Sequence, residues 1–320
     1  MAVTCSRRRF VGGMLAMTTL SGASPLFSLP SLSSSFRISV INDEITQDFE
    51  HACEIASKEF GMGWIELRSM WNKNVVSLDE KEITEARRIV DKYQLKVTDI
   101  ASPLFKVDYP GAPKSKFSEA SSFGANFGAK QQDEVLERAI ALAKAFKTDR
   151  IRCFDFWRLD DQVLYRSGID DKLREAAEKV GRQGMTLVLE NEPACNTATG
   201  AEAAKVLAAV KTPSFMLNWD PGNAATLGEK PYPDGYDLLP KERIGHCHCK
   251  DAVKNAKGYD WAPVGGGLID WTGQFRALKR DGYHLAVSLE THWNGGGSPE
   301  QSTRISWAGM KKALQDAKVL

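Results

Sequence analysis

The sequence predicts a single (β/α)8 barrel of the α/β class. Three observations predict it. From residue 36 onward, eight short runs rich in β-branched residues alternate with helical patterns. Carboxylates and imidazoles follow directly on the later apolar runs, where the loops of a barrel gather its chemistry. No glycine-rich phosphate loop follows the first run, which argues against a doubly wound open sheet. Such a barrel takes roughly 250 residues. The chain has 320, and residues 36–320 read as one domain without an internal repeat or a linker.

Residues 1–35 read as an address and a linker. Ser6-Arg7-Arg8-Arg9-Phe10 precedes a mildly apolar run from Val11 to Leu20, and small residues follow at Ser21-Gly22-Ala23. A basic start, a short apolar stretch and small residues make an export signal cleaved near residue 23; the stretch is too short for a hydrocarbon core of about 30 Å. Ser-Arg-Arg-x-Phe resembles the twin-arginine signal, which implies that the folded protein is carried to the bacterial periplasm by the twin-arginine export machinery. The low-complexity stretch 29–35 joins this leader to the barrel, and no other stretch is long and apolar enough to cross a membrane.

Strands are expected at 37–41, 64–67, 96–100, 150–154, 186–190, 215–219, 243–248 and 286–290. Helices are expected between them at 48–60, 79–93, 131–146, 170–183, 201–210, 271–281 and 299–317, with Asp48, Asp79 and Asp170 as N-caps. The connection after the sixth strand holds Pro231, Pro233, Asp234 and Gly235 and reads as loop. The longest loop, 107–130, follows the third strand and reads as a lid or a homo-oligomer contact.

Composition limits the partners. Lys+Arg 42 against Asp+Glu 41 gives a formal charge of +1, so the chain lacks the cationic field that grips a phosphate backbone, and nucleic acid is not an expected partner. Six scattered cysteines without a CxxC pair make neither a disulfide scaffold nor a zinc knuckle.

The expected chemistry lies at the C-terminal strand ends. Strand five ends in Glu190-Asn191-Glu192-Pro193, strand six in Asp220-Pro221-Gly222-Asn223, strand seven in His246-Cys247-His248-Cys249-Lys250-Asp251 and strand eight in Glu290-Thr291-His292-Trp293. Glu190, Asp220, His248 and Glu290 form an oxygen-rich set with one imidazole. That set suits one divalent ion, Mn²⁺, Mg²⁺ or Co²⁺ in five or six coordination and also Zn²⁺, rather than a structural zinc. Strand alternation points His246, His248 and Lys250 one way and Cys247 and Cys249 the other. His248 lies nearer the strand's C-terminal end, so it is the expected ligand, with His246 in support.

These motifs together resemble the xylose-isomerase-like TIM barrels, the sugar phosphate isomerase/epimerase group. They are Leu189-Glu190-Asn191, Trp219-Asp220-Pro221-Gly222-Asn223, the His246 to Ala252 run, the Pro263 to Trp271 run and Ser288-Leu289-Glu290-Thr291-His292, and the resemblance covers the chain after its leader. Similarity to the ketose 3-epimerases of that group implies a divalent metal on Glu190, Asp220, His248 and Glu290, with Glu190 and Glu290 also moving substrate protons. The chain departs from the group's pattern at Glu192 and Asn223, where members often carry histidines. It lacks the histidine-rich, cationic site of the DNA-repair endonuclease branch.

Glu190 and Glu290 are therefore the expected catalytic residues of a metal-dependent sugar isomerase or epimerase that works through an enediolate. Glu66, Lys106, Arg152, Glu192, Asn223, Lys250 and His292 are the expected substrate contacts, and Glu44, Glu66 and Arg68 an expected ring at the barrel mouth. Two alternatives stay open. One is a metal-dependent lyase or dehydratase on a 3-keto-glycoside or keto-cyclitol, since the same enolate can expel a β-substituent. The other is a periplasmic carbohydrate-binding barrel without turnover.

Overall fold

The strands are short runs of buried residues that end where loop polar residues begin, covered on both faces as a parallel sheet wrapped by helices requires. A computed structural model describes residues 1–2, 32–118 and 127–320. Residues 3–31, most of the stretch read as an export signal and linker, and residues 119–126 of the long loop lie outside the described residues. The strands are β1 (Arg37–Val40), β2 (Trp64–Leu67), β3 (Lys96–Leu104), β4 (Arg150–Cys153), β5 (Thr186–Glu190), β6 (Phe215–Trp219), β7 (Ile244–Cys249) and β8 (Ala286–Leu289). They pair in parallel as one eight-stranded sheet in which neighbours in sequence are neighbours in space, with β1 against β8. The parallel bridge Ile41↔Glu66 joins β1 to β2 and closes the barrel.

A helix follows each strand: α1 (Phe49–Glu54), α2 (Glu80–Lys92), α3 (Gln132–Phe146), α4 (Gln162–Gly181), α5 (Gly200–Ala209), α6 (Pro221–Thr226), α7 (Trp271–Arg280) and α8 (Pro299–Asp316). Asp48 caps α1 by accepting the His51 N–H, and Asp79 forms a capping box with Glu82. Outward-facing strand residues such as Ile65, Leu67, Ile151, Leu187, Leu217, Cys247 and Leu289 are fully buried between barrel and helices. Each contributes about 1.5–3 kcal/mol of burial if it is a Val, Leu or Ile. The five described cysteines are free and buried, so packing holds the fold. No described helix is long and apolar enough to cross a membrane.

Five elements differ from expectation. The connection after β6, expected as loop, carries α6 and further helical turns over Pro231–Gly235 and Tyr236–Leu238. The α4 helix starts at Gln162, not at 170. Asp161 takes the Leu164 N–H at 3.3 Å, while Asp170 sits inside the helix accepting from Arg166 at 2.9 Å. The helix runs through Gly168, where the Tyr109 hydroxyl packs against it with no room for a Cβ. The β3 strand runs on to Leu104, and the Ser102 hydroxyl donates to the Arg152 carbonyl at 2.6 Å across to β4. The helix expected at 48–60 is α1 followed by a π-helical turn, Ile55–Glu59. Beyond β7, Asp251–Asn255 and Gly258–Ala262 form an antiparallel hairpin over the barrel mouth.

Candidate metal centre and active site

Alternation along β7 sends the His246 and His248 side chains into the barrel and Cys247 and Cys249 out into the core, all fully buried. Glu190 ends β5, Asp220 follows β6 as the N-cap of α6, and Glu290 follows β8. The barrel brings these three carboxylates and His248 together, with one ligand-type atom from each inside a 4.8 Å span. From His248 Nδ1 it is 3.3 Å to Glu190 Oε1, 3.2 Å to Glu290 Oε2 and 3.7 Å to Asp220 Oδ2. Ligands held at about 2.0–2.3 Å around one ion stand roughly 3–4.5 Å apart. The donor set and its spacing therefore fit a divalent cation.

The acids are fixed from outside the cluster. Glu190 Oε2 meets the Arg152 guanidinium at 3.1 Å, and Glu290 Oε1 meets that of Arg68 at 2.8 Å. Arg152 donates to the backbone of β3 and is 3% exposed, so it is an anchor for Glu190. The Asn223 amide donates to Glu190 Oε1 at 3.3 Å and to the Asn191 carbonyl at 2.8 Å. Asn191 in turn accepts the Asp220 N–H at 2.8 Å and donates to the Asp220 carbonyl at 2.8 Å, which staples the ends of β5 and β6 together. Asp220 Oδ1 caps Asn223 at 2.9 Å, which leaves Oδ2 for the cluster.

Charge in this closed space sets the protonation states. Burial pushes the Glu190 carboxyl up, but His248 and Arg152 outweigh it and hold it down at about 2. Burial acts on Glu290 in the same way and is overcome by Lys250, His292 and His248, so Glu290 lies well below its usual range. At Asp220 burial wins and the carboxyl is raised despite Lys250. Burial pushes His248 down, but Glu66, Glu190 and Glu290 drive it far up. His246, with less compensation, is pushed down to about 3 by burial.

The other expected contacts fall in two groups. Lys250 Nζ lies 2.6 Å from Glu290 Oε2 and 2.9 Å from Asp220 Oδ2 and reaches His292 Nδ1 at 3.4 Å. Lys106 pairs with Glu192 at 3.1 Å over the face of Phe154, at the rim. Glu66 is the exception. The ring expected from Glu44, Glu66 and Arg68 forms instead around Arg68 with Asp43, Glu44 and Glu290, at 3.0, 2.7 and 2.8 Å. Glu66 lies inside the barrel with no exposure, against His248 Nε2 at 3.0 Å. Asp99, unnoticed in the sequence, is buried beside it and pushed well up by burial and by Glu66. Its only signal was a carboxylate inside an apolar strand run, Val97 to Ala101.

The model of the xylose isomerase-like TIM barrel family matches residues 55–313. No curated protein matches the chain significantly. Among solved structures, the fold is shared with the probable 3-DHS dehydratase AsbF of Bacillus anthracis, at 21% identity and TM-score 0.64 over 86% of this chain and 98% of that one. It is shared with the zinc-bound IOLI protein, at 15% identity and TM-score 0.67 over 89% and 99%. A D-allulose 3-epimerase from Methylomonas sp. matches at 14% identity and TM-score 0.63 over 89% and 99%. With a barrel in which β1 to β8 run in order and a family model matched along most of its length, the chain belongs to the xylose isomerase-like TIM barrel family.

Proposed function

We propose that the protein is a divalent-metal-dependent isomerase or epimerase of a small polyhydroxylated carbonyl compound, a sugar in its open form, acting by proton transfer next to the carbonyl. One observation carries this reading. Glu190 and Glu290 are each held through one oxygen by a separate guanidinium and turn the other oxygen into the same cluster.

Glu190, Asp220, His248 and Glu290 would hold the ion, which when bound supplies a Lewis acid for the substrate carbonyl. The chain's own residues do the rest. Glu190 and Glu290 each turn one carboxylate oxygen into the centre, where it can take a proton from the carbon beside the carbonyl. They arrive from β5 and β8, on either side of β6 and β7. One working base gives isomerisation, and two bases on opposite faces of the carbon allow epimerisation. The Lys250 ammonium stands beside both Asp220 and Glu290, where it can meet negative charge developing on an enediolate oxygen. The pair Lys106 and Glu192, beside the faces of Phe154 and Trp157, offers a donor, an acceptor and an apolar wall to sugar hydroxyls and C–H groups. An epimerase and a zinc-bound protein with this fold support the class of chemistry.

A second reading is a lyase that expels a β-substituent from the same enediolate. It is favoured by Lys250 and the partly exposed His292, two proton-bearing groups in contact beside Glu290, and by a dehydratase among proteins of this fold. The test is metal content together with exchange of substrate C–H for solvent deuterium over a panel of ketoses and aldoses. Glu190→Gln and His248→Ala are expected to lower exchange by about 10²–10⁴-fold. Unchanged exchange in both variants would contradict the proposal, and an ultraviolet-absorbing unsaturated product would favour the lyase.

A further inference from the structure

We infer that Glu66 is the positioning residue of this centre: from inside the barrel it takes the Nε2 proton of His248 and so turns that ring's Nδ1 lone pair onto Glu190, Asp220 and Glu290. The inference rests on the metal reading above and says what makes the imidazole a ligand.

Both ring nitrogens of His248 face carboxylates. Nδ1 looks toward the strand ends and the three acids at 3.2–3.7 Å. Nε2 looks inward to Glu66 Oε1 at 3.0 Å. An imidazole that binds a metal is neutral, with one N–H and one lone pair, and an ionised carboxylate only accepts. The proton therefore belongs on one side or the other. On the inner side one carboxylate oxygen, Glu66 Oε1, reaches the ring, with Asp99, His246 and Asn218 around Glu66 and no exposure to solvent. A lone pair on Nε2 could take an N–H from Asn218 Nδ2 at 3.0 Å, but it would still face the ionised Glu66 Oε1 at 3.0 Å with no proton between them, a repulsion that a fully buried site screens little. On the outer side, three carboxylates converge on Nδ1 and can share a cation with it.

Glu66 is well fixed for this task. It sits in β2, and the adjoining bridge to Ile41 ties its backbone to β1. Its second oxygen points toward His246 Nε2 at 3.6 Å and has no hydrogen-bond partner among the described residues. The Asn218 amide lies 3.0 Å from His248 Nε2 and 3.1 Å from His246 Nδ1, so the two rings and Glu66 form one linked layer under the centre. A carboxylate behind a metal-bound histidine fixes the tautomer and raises the basicity of the ligating nitrogen. Losing such a partner typically lowers metal affinity by about 10–100-fold.

The test uses the full chain and Zn²⁺ or Co²⁺ alone. Affinity is measured by competition against a chromophoric chelator for the parent protein and for Glu66→Gln, with thermal melting of the metal-free forms alongside. Expected is a loss of about 10–100-fold in the variant, without a matching fall in the metal-free melting temperature. A folded Glu66→Gln protein with parental affinity overturns the inference. Nitrogen NMR of histidine in the zinc-loaded parent decides independently of any variant. A proton on His248 Nε2 and metal on Nδ1 support the inference, and metal on Nε2, or a second ion held by Glu66 and His246, overturns it. A parent protein that binds no divalent ion overturns this inference and the metal reading together. Tight binding with no substrate C–H exchange leaves Glu66 in its role and removes the proposed reaction.

Discussion

Arg152 shows how closely the acids of this centre depend on single side chains. Its guanidinium is buried, donates to the Ala101 carbonyl at 3.1 Å and meets Glu190 at the same distance. Removing one partner of a buried pair leaves the other charge without compensation, which costs about 3–5 kcal/mol. Arg152→Met is therefore expected to lower the unfolding free energy by that much in denaturant titration, against less than about 1 kcal/mol for removing the exposed pair Lys172 and Glu175. Equal, small effects at the two sites would show that Arg152 does not anchor Glu190. At this scale the sequence was legible where chemistry follows strand alternation. Direction and order along one strand set His248 nearer the strand end than His246, and the barrel brings it against Glu190, Asp220 and Glu290. The sequence was not legible where a contact joins distant strands. Glu66 and Arg68 share a face of the β2 run, but only the register of the closed barrel puts the first under His248 and the second on Glu290. Asn223 and Asn191 likewise act across 33 and 29 positions of chain, as struts for Glu190 and Asp220.

At the scale of elements, the start of α5 shows how a loop end is locked beside the site. Thr199 accepts the Glu202 N–H at 3.2 Å, and Glu202 returns to the N–H groups of Ala198 and Thr199 at 2.8 and 3.3 Å while pairing with Arg158. This capping box follows directly on the Glu190 to Cys195 segment. Thr199→Ala is expected to cost about 1 kcal/mol in unfolding free energy. Burial pushes Glu202 up, but Arg158 and the backbone N–H groups outweigh it and hold the carboxyl below its usual range. A carboxyl lowered in the folded state stabilises above the unfolded pKa, and this contribution is lost as pH falls through the lowered value. Chemical unfolding across pH 3–7 checks both; a Thr199→Ala protein as stable as its parent would remove the cap from the account. The cap at Asp170 failed as a reading because two aspartates, Asp161 and Asp170, each precede helical patterns. The choice between them is made by Gly168, which packs against Tyr109 and lets the helix run through. The hairpin beyond β7 is hard to read for a different reason: its signal, alternation around the two-residue turn Ala256-Lys257, is short and lies outside the strand-helix rhythm.

At the scale of the whole molecule, the barrel was legible because it is a repetition. Eight strand runs, each separated from the next by a helical pattern, leave few topologies, and parallel strands with right-handed crossovers close them into a ring. Closing that ring collects the ends of β5 to β8 at one mouth and converts four separate polar motifs into one centre. The proposed activity depends on that convergence. Its most direct measurement is anomalous diffraction from crystals grown with Mn²⁺ or Co²⁺. The account predicts one strong peak at the C-terminal mouth of the barrel, about 2.0–2.3 Å from His248 Nδ1 and from oxygens of Glu190, Asp220 and Glu290. A peak elsewhere, or an ion-free centre in which Lys250 alone bridges Asp220 and Glu290 at saturating metal, would contradict it.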